Sequence, residues 1–230
     1  MNLPLESGRS DSEDRLAESL RGFGPAGILA FIAILFGNLL FLPLSALIVL
    51  LWAHLARIPL SALGFRRPRS WTATLLIGLG LGVALKLLMK SVVMPLLGAD
   101  PINRHYHFLT HNPAALPWAL YAMVVGAGFG EETVYRGYLF ERMGRLWGTG
   151  RGGKTATVLV SSLLFGLVHL SEQGISGAEQ AFIVGLVVGT FVAVTGEIVL
   201  PMVLHAAFDL TALAIIYCGL ENRVAHWFFR

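Results

Sequence analysis

Long stretches without charge are the feature of this sequence that most limits its possible folds. Residues 26–56 contain no Asp, Glu, Lys or Arg. A helix that crosses a bilayer needs about 20 predominantly apolar residues, and an open chain in lipid can satisfy its backbone groups only as a helix. Charged residues make up 13% of the 230 positions, against about 25% in soluble domains. The sequence therefore predicts an all-α, polytopic membrane protein.

Six apolar stretches are the candidate spans. Their bounds are 26–56, 72–97, 113–130, 155–170, 180–195 and 198–220. The predicted fold is a membrane helix bundle over residues 26–230 with about six transmembrane helices, some short or broken, and Pro43 is expected to bend the first. Residues 1–25 mix acidic and basic side chains and are predicted to be a mobile tail, with a short surface helix as the alternative.

The basic residues indicate an orientation. Most of them fall in two loops, one holding Arg57, Arg66, Arg67 and Arg69, the other Arg136, Arg142, Arg145, Arg151 and Lys154. Six spans would put both loops on one side, which the positive-inside rule makes cytoplasmic, and the N-terminus outside. We expect a bacterial plasma (inner) membrane protein, with any active site toward the cytoplasmic side. Membrane lipid is the expected partner, and the clustered charge argues against nucleic acid.

Ionisable residues at membrane depth form three groups. They lie in 130–136 (GEETVYR), 165–169 (FGLVH) and 205–209 (HAAFD). A charge inside a span costs at least about 2.5 kcal/mol by insertion scales, so each such residue needs a partner or a function. These residues are therefore the candidates for a functional site.

Helical spacing suggests roles within these groups. Glu132 and Arg136 are four residues apart in the orientation that favours an ion pair, whereas Glu131 points about 100° away and is free to act as a general base. His205 and Asp209 share one helix face. If the helices pack together, the set can activate water, stabilise an oxyanion or coordinate a metal. The same pairs also join helices or relay protons in transporters, so spacing alone leaves these alternatives open.

The three groups, in this order, resemble the motifs of the CAAX protease and bacteriocin-processing family, which includes the type II CAAX prenyl endopeptidases. The likeness covers about 118–213, which would be the catalytic core. It implies that Glu131 activates water, that His169 positions it, and that His205 and residue 209 stabilise the oxyanion. Many members of the family carry Asn at this last position, and Asp209 departs from that pattern.

The resemblance also leaves two possibilities for a cofactor and indicates a class of substrate. Either one Zn²⁺, with Glu131, His169, His205 and Asp209 as candidate ligands, or no metal would serve the reaction. The substrate is expected to be a protein or peptide, prenylated in the best-known members. Candidate substrate-binding residues are Lys86, Lys90 and Phe165. The two lysines share one helix face and either extend to the membrane interface or face the cavity and receive a substrate's terminal carboxylate. A non-catalytic scaffold or bacteriocin-immunity protein, and a small proton-coupled transporter, are the alternatives.

Other motifs do not support a different enzyme. The sequence has no His-Glu-x-x-His zinc helix and no Gly-x-Ser-x-Gly nucleophile motif. Residues 148–155 (GTGRGGKT) match a phosphate-loop pattern, but a true phosphate loop follows a buried strand and this one lies between helical stretches. No nucleotide is therefore expected as a partner.

Overall fold

The computed structural model describes residues 11–229, and these form helices and loops without a strand. The helices are α1 Asp11–Arg21, α2 Pro25–Phe36, α3 Leu44–Leu55, α4 Trp71–Leu96, α5 Pro113–Trp147, a long helical segment Arg151–Thr195, α8 Val199–Tyr217 and α9 Glu221–Ala225. Four of them are long and apolar enough to cross a membrane: α4, α5, the long segment and α8. The predicted all-α, polytopic membrane fold is confirmed.

The long segment Arg151–Thr195 is two antiparallel helices. Gly174 has φ +67° and ψ −169°, which is not helical and which favours glycine. A Cβ placed on Gly166 would lie 2.9 Å from the Ala178 carbonyl oxygen, and one on Gly185 would lie 3.0 Å from Ser162 Cβ. We name the two helices α6 (151–173) and α7 (175–195). Each is about 31–35 Å long at 1.5 Å per residue, enough to cross the bilayer.

The first predicted span is instead a hairpin. α2 and α3 are about 18 Å long each, too short for a hydrocarbon core of about 30 Å. At the tip, the Ser45 backbone N–H donates to Asn38 Oδ1 and the Asn38 N–H donates to Ser45 Oγ, both at 2.9 Å. Polar partners at the turn thus let the chain reverse inside the apolar region. The prediction of a single span over 26–56 is wrong.

Part of the predicted mobile tail is docked on the bundle. α1 packs against α2 and α3 with Ala17 buried, and Trp52 Nε1 donates to the Leu20 carbonyl at 3.1 Å. Arg142 donates to the carbonyls of Arg21 and Gly22 at 2.5 and 2.6 Å. These bonds satisfy carbonyls that a helix end otherwise leaves without partners. Residues 11–21 are therefore a docked helix, while 1–10 lie outside the described residues.

These corrections change the topology. Arg57, after α3, forms hydrogen bonds and ion pairs with Asp14 and Glu13 of α1, so the hairpin begins and ends on one face of the bundle. We call this face, with loops 56–70, 148–150 and 196–198, the basic end. With α6 and α7 counted separately, the described residues offer five candidate crossings, α4, α5, α6, α7 and α8. α1 lies at the basic end, contrary to the opposite placement that six spans would require.

Close glycine contacts hold α4, α5 and α8 together. A Cβ on Gly82 of α4 would lie 2.3 Å from the Leu204 carbonyl oxygen, and one on Gly128 of α5 would lie 2.9 Å from Ala206 Cβ. Small residues allow such approach in membrane bundles. Both contacts lie within a residue of His205, so the bundle is tightly packed around α8, the helix that carries the third motif.

Candidate active site

The Glu131–Glu132 motif lies in an irregular part of α5. The segments Ala122–Glu131 and Thr133–Tyr138 are π-helical, where the sequence predicted a regular α-helix. π-Helical turns are rare and occur frequently at functional sites. Three glycines, Gly126, Gly128 and Gly130, are buried in this stretch. They let neighbouring segments of the protein approach α5 beside the two carboxylates.

Glu132 is the centre of a buried polar network. Its side chain is fully buried, its Oε1 lies 3.1 Å from Arg136 NH1, and the same oxygen lies 2.7 Å from His205 Nδ1. The structure thus brings together the ion pair that the spacing predicted. It also adds a bond that the sequence analysis missed, because Glu132 links α5 to α8. Since a carboxylate accepts, His205 Nδ1 carries a proton.

The second nitrogen of the His205 ring, Nε2, lies near two carboxylates. Nε2 lies 3.8 Å from Glu131 Oε2 and 3.7 Å from Asp209 Oδ2. Both distances exceed a direct hydrogen bond and match a gap that one water can bridge. Glu131 Oε2 is buried and has no hydrogen-bond partner among the described residues. Glu132, rather than Asp209, makes the hydrogen bond that orients the ring.

His169 is held in one tautomer by its own helix. Its Nδ1 lies 2.7 Å from the Phe165 carbonyl oxygen, and because a carbonyl only accepts, Nδ1 is the protonated nitrogen. In the neutral ring Nε2 then keeps its lone pair. The partly buried ring can therefore accept a hydrogen bond from a water or bind a cation through Nε2.

Phe165, which the sequence analysis proposed as a substrate-binding residue, is a buried spacer between the two imidazoles. It is 2% exposed and its ring meets the rings of His169 and His205 at centroid distances of 4.6 and 5.8 Å. The Arg136 guanidinium lies 4.3 Å from the same ring. Phe165 thus separates the two imidazoles and covers the Arg136 cation, which leaves its ring little access to a substrate.

Lys86 and Lys90 of α4 line a cavity that the C-terminal half of α8 also borders. Its volume is about 360 Å³ and its walls include both lysines, the loop 99–105 and the turn 173–177. It lies toward the end opposite the basic end, one helical turn beyond His169 and Asp209. The structure therefore places the predicted lysines beside the catalytic candidates but outside the Glu132–His205 network.

Tyr106 is a neighbour of the site that the sequence analysis did not identify. Its hydroxyl accepts a hydrogen bond at 3.2 Å from Gln173 Nε2, one turn after His169. Burial, with the negative charges of Glu172, Asp209 and Glu131, raises the pKa of Tyr106 to about 12. A loop tyrosine carries no periodic or motif signal, so only the folded chain reveals this placement.

The sequence analysis left one Zn²⁺ and no metal as alternatives for this site. Within residues 11–229, no group of three or more His, Cys, Asp or Glu side chains is placed to hold a metal ion. A zinc site needs such a set at about 2 Å from the ion. The described side chains, as they stand, do not fit a resident zinc, and we assign no step to one.

The fold defines an integral membrane protein built as a helical bundle, with a buried acid–imidazole cluster at its centre. The family model described as Type II CAAX prenyl endopeptidase Rce1-like matches residues 113–211. The match runs from the start of α5 into α8 and contains all three motifs. Residues 113–211 thus resemble the type II CAAX prenyl endopeptidases, which confirms the predicted resemblance to this family. Neither the curated proteins nor the solved structures include one that matches the chain.

Proposed function

We propose that this protein cleaves a peptide bond within the membrane by using Glu131 to activate a water molecule. The observation that supports this most directly is Glu131 Oε2, which is buried without a hydrogen-bond partner among residues 11–229 and lies 3.8 Å from His205 Nε2. A general base must lie within direct or one-water reach of the proton it takes. Glu131 meets that condition for a water held beside His205.

The proposed reaction needs no other reactant than water. Glu131 takes a proton from the water while the water oxygen attacks the peptide carbonyl carbon. A proton on His205 Nε2 donates to the resulting oxyanion, because Nδ1–H is already committed to Glu132. When the C–N bond breaks, Glu131 returns its proton to the leaving amine. The products are a new carboxylate and a new amine.

His169 and Asp209 take supporting roles in this proposal. His169 Nε2 accepts the second hydrogen of the water, since its Nδ1–H is held by the Phe165 carbonyl. Asp209 Oδ2 lies 3.7 Å from His205 Nε2, close to the proton on that nitrogen. Its charge opposes an oxyanion, so we assign it to positioning the proton on His205.

The membrane location completes the proposal. The basic end carries the arginine-rich loops, and the positive-inside rule makes it cytoplasmic. His205 is in the second turn of α8 from that end, about 9 Å along the helix axis. A bacterial plasma membrane and a reaction centre nearer the cytoplasmic face are therefore proposed. The match of residues 113–211 to the type II CAAX prenyl endopeptidases makes a prenylated peptide the first substrate to test.

The decisive test compares wild-type protein with Glu131→Gln. Both would be purified in detergent and incubated with a farnesylated peptide ending in Cys-Val-Leu-Ser and with a peptide library, with mass spectrometry of the products. Loss of the base should lower turnover by about 10²–10⁴-fold. Glu172→Gln, the same change at an exposed position on α6, should leave turnover unchanged.

The outcomes separate the alternatives. Equal turnover by wild type and Glu131→Gln would remove Glu131 as the base. Absence of any product from folded wild-type protein would favour a non-catalytic scaffold or immunity protein. Proton-coupled solute uptake by reconstituted protein, without cleavage, would favour a transporter.

A further inference from the structure

The cavity beside α8 has a wall built from two lysines of α4. Lys86 and Lys90 are four residues apart on one helix face and both contribute to its lining. A cation at membrane depth is costly unless it is paired or serves a function. The two lysines are equivalent in sequence pattern, but their surroundings differ.

Lys90 is already neutralised by the protein. Its Nζ donates to the Pro101 carbonyl and lies 3.8 Å from Glu221 Oε1. The Glu221 carboxylate in turn accepts the Asn103 backbone N–H at 2.7 Å. These contacts join α4, the loop after it and α9, so Lys90 has a structural partner set.

Lys86 lacks such a partner. It is 8% exposed, its Nζ donates to the neutral Gln180 Oε1 at 3.2 Å, and it lies 4.6 Å from the Phe208 ring centroid. Among the described residues, no carboxylate lies within 4 Å of this Nζ. The acids Glu221, Glu132 and Asp209 pair with Lys90, Arg136 and His205 instead. An ammonium has three donors, and here one neutral amide and one ring are its direct contacts. Asp209 and Glu221 act on Lys86 through their charges but form no ion pair with it within 4 Å.

We propose that Lys86 binds a carboxylate of the peptide substrate inside this cavity, and that Lys90 does not. The identity of the ligand as substrate rests on the proposed function. The cavity lining begins beyond the catalytic candidates, at Gln173 and Ala212, which follow His169 and Asp209 by four and three residues. The proposal places the carboxylate end of the substrate there while its scissile bond lies at His205. A carboxylate is small enough for this buried position, whereas a phospholipid headgroup would bring its acyl chains into the bundle.

The test measures binding separately from cleavage. Glu131→Gln protein in phosphatidylcholine nanodiscs would be titrated with two fluorescent farnesylated peptides ending in Cys-Val-Leu-Ser, one with a free C-terminal carboxylate and one with a C-terminal amide. We expect the free acid to bind roughly tenfold to a hundredfold more tightly, the range of a charge-assisted hydrogen bond. Lys86→Met in the same background should bind both peptides equally.

Controls keep the result specific. Lys90→Gln should retain the preference for the free acid. Lys86→Gln is the second variant if Lys86→Met does not yield folded protein by size-exclusion chromatography. Equal binding of acid and amide, no binding of either, or a preference that survives loss of Lys86 would overturn the proposal.

Two further measurements separate this inference from others. If the acid preference holds but no wild-type cleavage occurs, the proposed function fails while the anion site stands. If phosphatidylglycerol nanodiscs stabilise the protein in a Lys86-dependent way and abolish peptide discrimination, the anion is a lipid headgroup and the carboxylate proposal is overturned.

Discussion

The Glu132–Arg136 pair offers a sharp test of the buried network. Both side chains are nearly inaccessible, at 0% and 1% exposure, and the carboxylate contacts the guanidinium at 3.1 Å and the His205 ring at 2.7 Å. Removing one partner of a buried pair leaves an uncompensated charge and costs about 3–5 kcal/mol. Glu132→Gln and Arg136→Met should therefore each lower the free energy of unfolding by that amount.

The double variant Glu132→Gln/Arg136→Met separates stability from activity. With both charges gone, most of the unfolding free energy should return, because neutral replacement of a buried pair is often nearly neutral. Turnover should stay about 10- to 100-fold below wild type, the typical cost of losing a partner that orients a functional imidazole. The reason is that an amide in place of the Glu132 carboxylate no longer fixes the proton on His205 Nδ1.

Reversible unfolding in mixed detergent–SDS micelles would measure the free energies, and peptide cleavage would measure turnover. A double variant as unstable as the two single ones would show that charge imbalance is not the cause of their instability. A double variant with wild-type turnover would show that His205 does not depend on Glu132.

Three other changes test separate features. Asp209→Asn should keep turnover within about tenfold of wild type, because the shape remains and a charge that opposes the oxyanion is lost; a loss equal to that of Glu131→Gln would contradict this. Arg142→Gln removes two charge-assisted bonds to the end of α1, each worth about 1.5–3 kcal/mol, and should speed hydrogen exchange in residues 11–24; unchanged exchange would show that α1 is held by other contacts. The folded state raises the pKa of Tyr106 from 10.0 to about 12, so the stability that Tyr106 contributes is fully present below pH 10 and is lost as the pH rises to 12. The free energy of unfolding of the Tyr106→Phe protein should therefore fall less than that of wild type between pH 10 and 12. Equal losses would contradict the raised pKa.

Composition and motif spacing predicted the architecture because lipid imposes strict rules. Predominantly apolar stretches of about 20 residues are helical in a bilayer, and α4, α5 and α8 lie where the apolar stretches predict them. The four-residue spacing of Glu132 and Arg136 likewise fixes their proximity on any helical turn. These parts of the fold follow from local sequence.

The hairpin could not be predicted in the same way. Residues 26–56 have the length and apolarity of one span, and hydropathy does not distinguish a straight helix from two short ones. The reversal depends on the paired bonds between Asn38 and Ser45, seven residues apart. Such a tertiary contact has no periodic signature.

The sequence predicted which residues form the site better than it predicted which of them contact each other. The motifs identified Glu131, Glu132, His169, His205 and Asp209, and the structure brings them to one region of the bundle. Spacing along α8 favoured Asp209 as the partner of His205, but the close packing at Gly128 brings Glu132 within 2.7 Å of the ring instead. The different environments of Lys86 and Lys90 likewise depend on α7 and α9, which are distant in sequence.

The hairpin of α2 and α3 returns the chain to the side from which it came, and an odd number of crossings follows it. Five crossings place α1 and α9 on opposite sides of the membrane. A protease or a labelling reagent added to one side of a sealed vesicle should reach only one of these two segments, and a partner protein that touches α1 cannot also touch α9.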